Sequence, residues 1–336
     1  MYKRQLCGGG SWGTAIARLL SNKGHDVNFY IRNKSVIYDI KKNKENSKYL
    51  PGAKFENEIN LTNNLLSVLK DIDIFVLAVP TTSSREILEE IKNYLGENVI
   101  IVNLSKGFEV DTLKRISEIS KEILPRNPFV ALSGPSHAEE VGKDIPTTVV
   151  ASSENLDASK IIQREFSTPI FRIYTNSDLI GVEIGGALKN IIALAAGMND
   201  GLNYGDNSKA ALMTRGVYEM SKLGITLGAN PHTFNGLSGI GDLIVTCTSM
   251  HSRNRRAGIL IGKGMSMQDA CKEVGQVVEG VKTVESTYKL SKIYNIEMPI
   301  TKVLYEILYK NYDPRKAVYE LMTRKNKDEI EQIFFE

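Results

Sequence analysis

The sequence predicts an α/β protein in which residues 1–180 form a parallel sheet covered by helices and residues 181–336 form a helical domain. Up to residue 176, short apolar runs alternate with helix-length segments, which is the pattern of a parallel sheet with both faces covered. Beyond Asn176 the strand signals become rare and segments with helical periodicity dominate. A chain of 336 residues is long enough for two domains, each with its own core.

The composition narrows the function to an enzyme or binding protein for a small molecule. The net charge is +3 and there is no block of like charge, which argues against a protein of nucleic acids or membrane surfaces. The three cysteines, Cys7, Cys247 and Cys271, are far apart, and no Cys-x-x-Cys or His/Cys cluster exists. We therefore expect neither a disulfide framework nor a metal site, and we predict a cytoplasmic protein without an integral membrane segment.

The first five residues do not suit the buried strand that the pattern requires at this position. Such a strand is apolar, whereas Met1–Gln5 is mostly polar. Read back into codons, the pentapeptide matches a transposon end used to prepare sequencing libraries. We hypothesise that it replaces the natural start and leave it out of the fold prediction. A genomic read that encodes these residues in place would contradict this hypothesis.

A glycine-rich turn follows the first predicted strand. Gly8, Gly10 and Gly13 satisfy the pattern G-x-G-x-x-G, and they are followed by a predicted helix, 14–23, and a predicted strand, 26–31. In a strand–turn–helix unit these glycines permit a tight turn, let a pyrophosphate approach the backbone and allow close packing of helix and strand. The motif is weak alone, but in this context it predicts a Rossmann-type dinucleotide-binding domain.

The end of the second strand bears on the choice of cofactor. An NAD site usually has an acidic residue there for the ribose, whereas this sequence has Arg32. An arginine suits a 2′-phosphate, so the cofactor is NADP or NAD. A solvated arginine at a strand end is an equally good interpretation of the position alone.

Further strands and helices alternate through the rest of this half. The strands are predicted at 72–79, 98–103, 129–132, 146–151 and 170–175, and the helices at 84–94, 112–124 and 157–166. Ligands of such sheets lie beyond the carboxyl ends of the strands. Lys106 and the segment 133–139 fall there, and Lys106 could bind an anion or polarise a carbonyl group unless it is an ordinary surface lysine. Ser136 and Glu139 have the spacing of a capping box, which predicts a helix start.

The segment Ile180–Gly201 predicts one long buried helix. It carries Glu183, Lys189 and Asn190 on an apolar background, and the charges and the pair Gly185–Gly186 argue against a membrane span. A single lysine in such a helix more often extends its amine to water than performs chemistry.

Three polar segments of the second half could contribute to a site. The glycine-rich segment 236–242 is interpreted as a loop that positions Asp242, and 277–280 as a loop with one acidic residue, Glu279. Arginines and polar donors at 252–256, near a predicted helix start, could bind a phosphate. Nucleic acid is the alternative ligand, but no interleaved aromatic residues support it. Packing helices are predicted at 298–308, 314–323 and 327–335.

Together these segments resemble the bacterial NAD(P)-dependent sn-glycerol-3-phosphate dehydrogenases from about residue 8 to residue 323. The motifs GSWGTA, SKG, SGPSHAEEVG, GVEIGGALKNIIALAAG, GLSGIGDLIVTCTS, HSRN and VVEG carry the resemblance. It implies a C-terminal domain similar to that of 6-phosphogluconate dehydrogenase, Lys189 as the catalytic proton donor and acceptor, and a role in glycerophospholipid synthesis. The implied substrate-binding residues are Lys106, Gly134, Ser136, Lys189, Asp242, Ser252, Arg253 and Asn254. The implied cofactor-binding residues are Ser11, Trp12, Arg32, Tyr49, Ala138, Arg253, Val277 and Glu279, with Lys106 shared between cofactor and substrate.

The implied reaction is reversible reduction of dihydroxyacetone phosphate to sn-glycerol 3-phosphate. Reduction of the ketone creates an alkoxide that needs a proton, and a buried lysine near another cation can supply it at neutral pH. Three alternatives remain: another β-hydroxyacid-type dehydrogenase, which would not need the 252–254 cluster, a non-catalytic dinucleotide sensor, and a methyltransferase, which Arg32 disfavours. The sequence permits a homodimer but does not predict the oligomeric state.

Overall fold

The computed structural model describes residues 3–326 and 328–329. One eight-stranded sheet, in the order β3-β2-β1-β4-β5-β6-β7-β8, forms the N-terminal half, and helices form the rest. The strands are β1 (Lys3–Cys7), β2 (Asp26–Tyr30), β3 (Asn60–Thr62), β4 (Ile74–Leu77), β5 (Ile100–Asn103), β6 (Phe129–Ser133), β7 (Thr147–Ser152) and β8 (Phe171–Asn176). The predicted fold class, a sheet domain followed by helices, is confirmed.

The sequence pattern predicted a parallel sheet, but one pair of neighbouring strands in the structure is antiparallel. β6 and β7 pair antiparallel, whereas every other neighbouring pair is parallel. The segment between β6 and β7 contains only a helix of four residues, Ala138–Val141. The connection, residues 134–146, is long enough for a crossover but lacks the full helix that usually forms one in a parallel return.

Six helices accompany the sheet and eight form the second half, within the described residues. They are α1 (Ser11–Asn22), α2 (Lys34–Asn43), α3 (Ser84–Ile91), α4 (Ile116–Ile123), α5 (Ala138–Val141), α6 (Leu156–Phe166), α7 (Leu179–Gly201), α8 (Asp206–Thr226), α9 (Asp242–Thr248), α10 (Arg253–Gly262), α11 (Met267–Val274), α12 (Glu279–Ile293), α13 (Pro299–Lys310) and α14 (Pro314–Met322). The helix predicted at 327–335 lies outside the described residues. The strands end at Asn176 and α7 begins at Leu179, near the predicted boundary at residue 180, but the division into two domains stays a prediction.

Leaving the N-terminal pentapeptide out of the fold was wrong for Lys3–Gln5. These residues belong to β1, and the Arg4 and Gln5 side chains are fully buried. Arg4 donates from Nη2 to Glu165 Oε2 at 2.7 Å, while Gln5 Oε1 has no hydrogen-bond partner among the described residues. β1 pairs with β2 on one side and β4 on the other, so hydrogen bonds to both neighbouring strands hold its backbone in the sheet. The origin of the pentapeptide stays a hypothesis.

Helix α7 is the centre of the second half. It is long and apolar enough to cross a membrane, but 89% of its most apolar window is buried inside the protein. Helices α8, α9, α10 and α12 pack around it, and β6 contacts its first turns. The prediction of a buried core helix is therefore confirmed, with one residue more at its start.

Glycines allow α10 to lie directly on the backbone of α7. A Cβ atom at Gly258 would stand 2.1 Å from Leu194 O, and one at Gly197 would stand 2.1 Å from Arg255 O. No side chain fits in either place, because real Cβ contacts are far longer. This close crossing brings the first residues of α10 to the middle of α7, where Lys189 lies.

Candidate active site

A cleft of about 1110 Å³ runs between the carboxyl ends of the sheet strands and the helices of the second half. It begins at the carboxyl ends of β1 and β4, which are neighbours in the sheet. From β1 the chain continues to β2 towards one edge of the sheet, and from β4 it continues to β5 towards the other edge. Dinucleotides bind in the crevice at such a switch point. Its walls carry most of the predicted site residues, namely Gly8, Gly10, Ser11, Trp12, Arg32, Tyr49, Lys106, Ser136, Ala138, Lys189, Ser252, Arg253, Asn254, Val277 and Glu279. Three predicted residues, Gly13, Gly134 and Asp242, lie behind this wall.

The glycine-rich turn fits the pyrophosphate of a dinucleotide. Gly8 has a φ of +126°, and a Cβ atom there would stand 2.3 Å from Ala78 O. A Cβ at Gly13 would stand 2.0 Å from Gly8 O, so this glycine lets α1 lie against the turn. Gly10 precedes α1 without a side-chain cap, and a Cβ built on it meets no atom within 4 Å. The first turn of α1 therefore has no capping side chain and begins at the wall of the cleft, which suits anion binding at a helix start.

The opposite wall of the cleft comes from the segment that joins α11 to α12. Arg253 donates from Nη1 to Val277 O at 3.4 Å, and Ser11 donates from Oγ to Gln276 Oε1 at 3.5 Å. Glu279 is the first residue of α12, so the predicted loop at 277–280 ends two residues earlier than expected. Gln276 was missed by the sequence analysis, because nothing in the local sequence indicates a contact with the glycine-rich turn.

Three charged side chains meet at the bottom of the cleft, of which Lys189 and Asp242 are buried and Lys106 is partly exposed. Lys189 donates from Nζ to Asp242 Oδ1 at 2.5 Å, and Lys106 donates from Nζ to Asp242 Oδ2 at 2.6 Å. Lys189 also donates to Thr246 Oγ1 at 3.0 Å. The Asp242 side chain is 1% exposed and that of Lys189 is 9% exposed, so this amine does not extend to bulk water.

Burial and charge bring Lys189 into the range of acid–base chemistry. Burial lowers the pKa of its amine to about 8, and Lys106 adds to the lowering against the opposing effect of Asp242. Burial alone would raise the pKa of Asp242, but the two ammonium groups hold it below its ordinary value. An amine with a pKa near neutrality can both donate and accept a proton at physiological pH.

Asp242 reaches Lys189 because α7 presents glycine where the chain before α9 passes. The segment Leu237–Gly241 is a π-helical turn with a kink at Gly239 and leads directly into α9, so the loop predicted at 236–242 is only partly irregular. A Cβ at Gly185 would stand 2.5 Å from Ser238 O, which shows how closely this turn crosses α7. Thr246, one turn after Asp242, was missed as a site residue although its helical spacing from Asp242 is a usable signal.

The loop after β6 contacts the amine of Lys106 through a backbone carbonyl group. Gly134, at φ +129°, accepts hydrogen bonds from Lys106 Nζ at 3.3 Å and from Ser136 Oγ at 2.8 Å. A helix begins in this segment as predicted, at Ala138, but the predicted capping box at Ser136 and Glu139 is wrong, because His137 precedes α5 and no side chain caps it. The hydroxyl of Ser136 is already used by the Gly134 carbonyl, so it does not cap the helix.

The start of α10 forms the other end of the polar region. Ser252 Oγ accepts from Arg255 N at 3.2 Å, which confirms the predicted helix start. Asn254 donates from Nδ2 to Asn190 Oδ1 at 2.9 Å, and its Oδ1 accepts from Gly280 N at 2.9 Å. Asn190 Nδ2 is buried without a partner among the described residues and belongs to a residue that lines the cleft.

Of the three arginines in the 252–256 segment, only Arg253 lines the cleft. Arg255 donates from Nη2 to Asp200 Oδ2 at 2.7 Å, away from the cleft. The prediction that the three together could bind a phosphate is therefore too broad, because the helix turns successive residues to different sides. The catalytic, substrate and cofactor roles of all these residues stay predictions.

Known proteins resemble this chain along nearly its whole length. Family models described as the N-terminus and the C-terminus of NAD-dependent glycerol-3-phosphate dehydrogenase match residues 5–159 and 178–319. A relative from Clostridium tetani, glycerol-3-phosphate dehydrogenase [NAD(P)+], is 54% identical over 96% of this chain and 92% of its own. The Bacillus subtilis relative of the same name is 49% identical over 99% of this chain and 97% of its own. The crystal structure of glycerol-3-phosphate dehydrogenase from Coxiella burnetii has a TM-score of 0.93 at 35% identity, over 96% of this chain and 99% of that one.

Proposed function

This chain belongs to the NAD-dependent glycerol-3-phosphate dehydrogenase family, and from this premise we propose that Lys189 is the proton donor and acceptor of its reaction. The enzyme reversibly reduces dihydroxyacetone phosphate to sn-glycerol 3-phosphate with NADH or NADPH. The observation that carries the assignment of Lys189 is its buried amine, paired with Asp242 at the bottom of the cleft.

The charges around the amine suit the two directions of the reaction. When bound, the reduced nicotinamide supplies the hydride that reduces the ketone. Protonated Lys189 gives its proton to the oxygen of the former carbonyl, and the neutral amine takes it back during oxidation. Burial and Lys106 lower the pKa of the amine, whereas Asp242 holds the amine in place and opposes the lowering, so both protonation states exist near neutral pH.

The residues proposed to hold the ligands divide along the cleft. The N–H groups at the start of α1 would bind the pyrophosphate, and Arg32 at the end of β2 would meet the ribose end of the cofactor. Arg253, Ser252 and Asn254 at the start of α10 would bind the substrate phosphate, since a helix N-terminus with an arginine favours an anion.

The decisive test of the function is oxidation of NADPH and of NADH, assayed separately, with dihydroxyacetone phosphate. We expect oxidation that depends on this ketone with at least one nucleotide. A purified, folded protein that binds the nucleotides but oxidises neither would contradict the activity.

The substrate phosphate has a test of its own. Arg253→Ala should raise KM for dihydroxyacetone phosphate steeply while the protein stays folded, and unphosphorylated dihydroxyacetone should be a very poor substrate. Arg255→Ala is the matched control, because this arginine belongs to the same helix turn but is paired with Asp200. Similar kcat/KM values for the two ketones would contradict a phosphate site at the start of α10.

Three further proposals accompany the activity. We propose that the enzyme works in the cytoplasm and supplies glycerophospholipid synthesis, and that residues 1–180 and 181–336 form a cofactor domain and a substrate domain. The homodimer also stays a prediction, and light scattering in solution would measure the mass of the particle.

A further inference from the structure

Two carboxylates of α3 line the cleft on the side of the proposed cofactor site. Glu86 and Glu90 lie one helical turn apart, are exposed, and line the same cleft as the glycine-rich turn. Neither has a hydrogen-bond or ion-pair partner among the residues that the structure describes. Glu89, between them in sequence, does not line the cleft and pairs with Lys92 at 2.5 Å.

The sheet order brings the helix that carries these carboxylates to the same end of the sheet as Arg32. Arg32 follows β2 and α3 follows β4, and both strands pair with β1. The carboxyl ends of two strands separated by one strand lie about 10 Å apart. Tyr30, the last residue of β2, packs on the same apolar cluster as Ile87, which lies on α3 between the two glutamates.

The electrostatics of Tyr30 agree with this placement. Burial raises the pKa of Tyr30, Cys7 and then Glu90 and Glu86 add to the rise, and the positive charge of Arg32 opposes it. All three charges therefore act on one point at the end of β2.

We propose that Glu86 and Glu90 weaken the binding of a 2′-phosphorylated dinucleotide and thereby determine how strongly the enzyme prefers NADP over NAD. The proposal rests on the proposed function, in which Arg32 meets the ribose end of the cofactor. It assigns a determinant of selectivity to α3, an element outside the glycine-rich turn and the end of β2.

The physical reason is the charge difference between the two nucleotides. A phosphate monoester carries about −1.5 to −2 charges near pH 7, whereas the corresponding hydroxyl of NAD is neutral. Arg32 attracts this phosphate, and two unpaired carboxylates across the cleft repel it. Because NAD lacks the phosphate, its affinity should be nearly independent of the two carboxylates.

The test is equilibrium binding of NADPH and NADH to Glu86→Gln, Glu90→Gln and the double variant, without substrate. Quenching of the fluorescence of Trp12 reports binding, because Trp12 is the one tryptophan of the sequence and lines the cleft. Each substitution should tighten NADPH binding about three- to tenfold, as expected for charges several ångströms apart near a protein surface. NADH affinity should change less than about twofold, and the gain for NADPH should shrink in high salt because ions screen exposed charges.

Glu89→Gln is the matched control, since it removes the same charge from the same helix outside the cleft, and it should leave both affinities unchanged. Equal changes for the two nucleotides, a loss of NADH affinity instead, or no change in the NADPH affinity would overturn the proposal. An enzyme that reduces dihydroxyacetone phosphate but shows one of these results refutes only the role of α3. A folded protein that binds neither nucleotide refutes the cofactor site and this proposal together.

Discussion

At the scale of single residues, the environment of Lys189 determines what its replacement should do. Lys189→Met removes the amine from a buried position but leaves Asp242 paired with Lys106, so no buried charge is left alone. We expect a folded protein whose kcat for reduction falls about 10²–10⁴-fold, the usual contribution of a positioned acid–base group. NADPH affinity, measured through Trp12 fluorescence, should hardly change.

Lys209→Met is the control for this substitution. Lys209 also pairs with an aspartate, Asp200, at 2.6 Å, but it does not line the cleft, and its loss should leave kcat near normal. A folded Lys189→Met enzyme with more than about a tenth of normal kcat would exclude the catalytic role.

The pKa of the same amine predicts opposite pH profiles for the two directions. Reduction needs the protonated form of Lys189, so its kcat should fall as pH rises through about 8, whereas oxidation needs the neutral form and should rise over the same range. Asp242→Asn removes the negative charge that raises the pKa of Lys189. The pKa should then fall further, so both pH profiles should move to lower pH. Rates measured from pH 6 to 10 in both directions check this, and a shift to higher pH would contradict the arrangement of charges.

At the scale of elements, the crossing of α7 and α10 positions the proposed phosphate site. Gly258→Ala places a Cβ 2.1 Å from Leu194 O and must push the two helices apart. We expect a loss of about 1–3 kcal/mol in the free energy of unfolding, as for overpacked cores, together with a higher KM for dihydroxyacetone phosphate. Urea unfolding and steady-state kinetics measure the two effects.

Gly205→Ala provides the comparison, because a Cβ at Gly205 meets no atom within 4 Å. Gly205 is the N-cap of α8, where alanine is less favourable than glycine, so Gly205→Ala should lower the free energy of unfolding by less than about 1 kcal/mol. A Gly258→Ala protein as stable and as active as Gly205→Ala would show that the close crossing is not required.

At the scale of the whole molecule, a buried ion pair joins the sheet half to the helical half. Glu183 on α7 accepts from Arg115 Nη1 at 2.8 Å and from Ser117 N at 2.9 Å, both at the start of α4. Glu183→Ala leaves Arg115 paired only with Glu118, at 3.3 Å, so we expect a loss of about 3 kcal/mol, the lower end of the range for a broken buried pair. The urea midpoint followed by Trp12 fluorescence should fall accordingly.

The exposed ion pair of Glu154 with Lys121 serves as the reference for the loss of stability in Glu183→Ala. Glu154 lies 3.8 Å from Lys121 and its side chain is 73% exposed, so Glu154→Ala should change the free energy of unfolding by less than about 1 kcal/mol. Equal midpoints for the two variants would mean that the Arg115–Glu183 pair does not hold the halves together.

The sequence alone determined the features that depend on neighbouring residues. The glycine-rich turn, the buried helix around Lys189 and the helix start at Ser252 follow from spacing, apolar periodicity and capping chemistry, all of which act over a few residues. The same local signals found the strands on both sides of the cleft, although the strand at 72–79 is observed only at Ile74–Leu77.

The tertiary structure decided the features that join distant parts of the chain. The antiparallel return of β7, the burial of Arg4 beside Glu165, the use of Ser136 by Gly134 and the contact of Gln276 with Ser11 have no local signal. The same holds for the pairing of Asp242 with Lys189, which the family resemblance indicated but the spacing did not. The physical reason is that local preferences leave open which distant surfaces meet, and that choice depends on the packing of the whole chain, here on glycines that let α10 and the π-helical turn reach the backbone of α7.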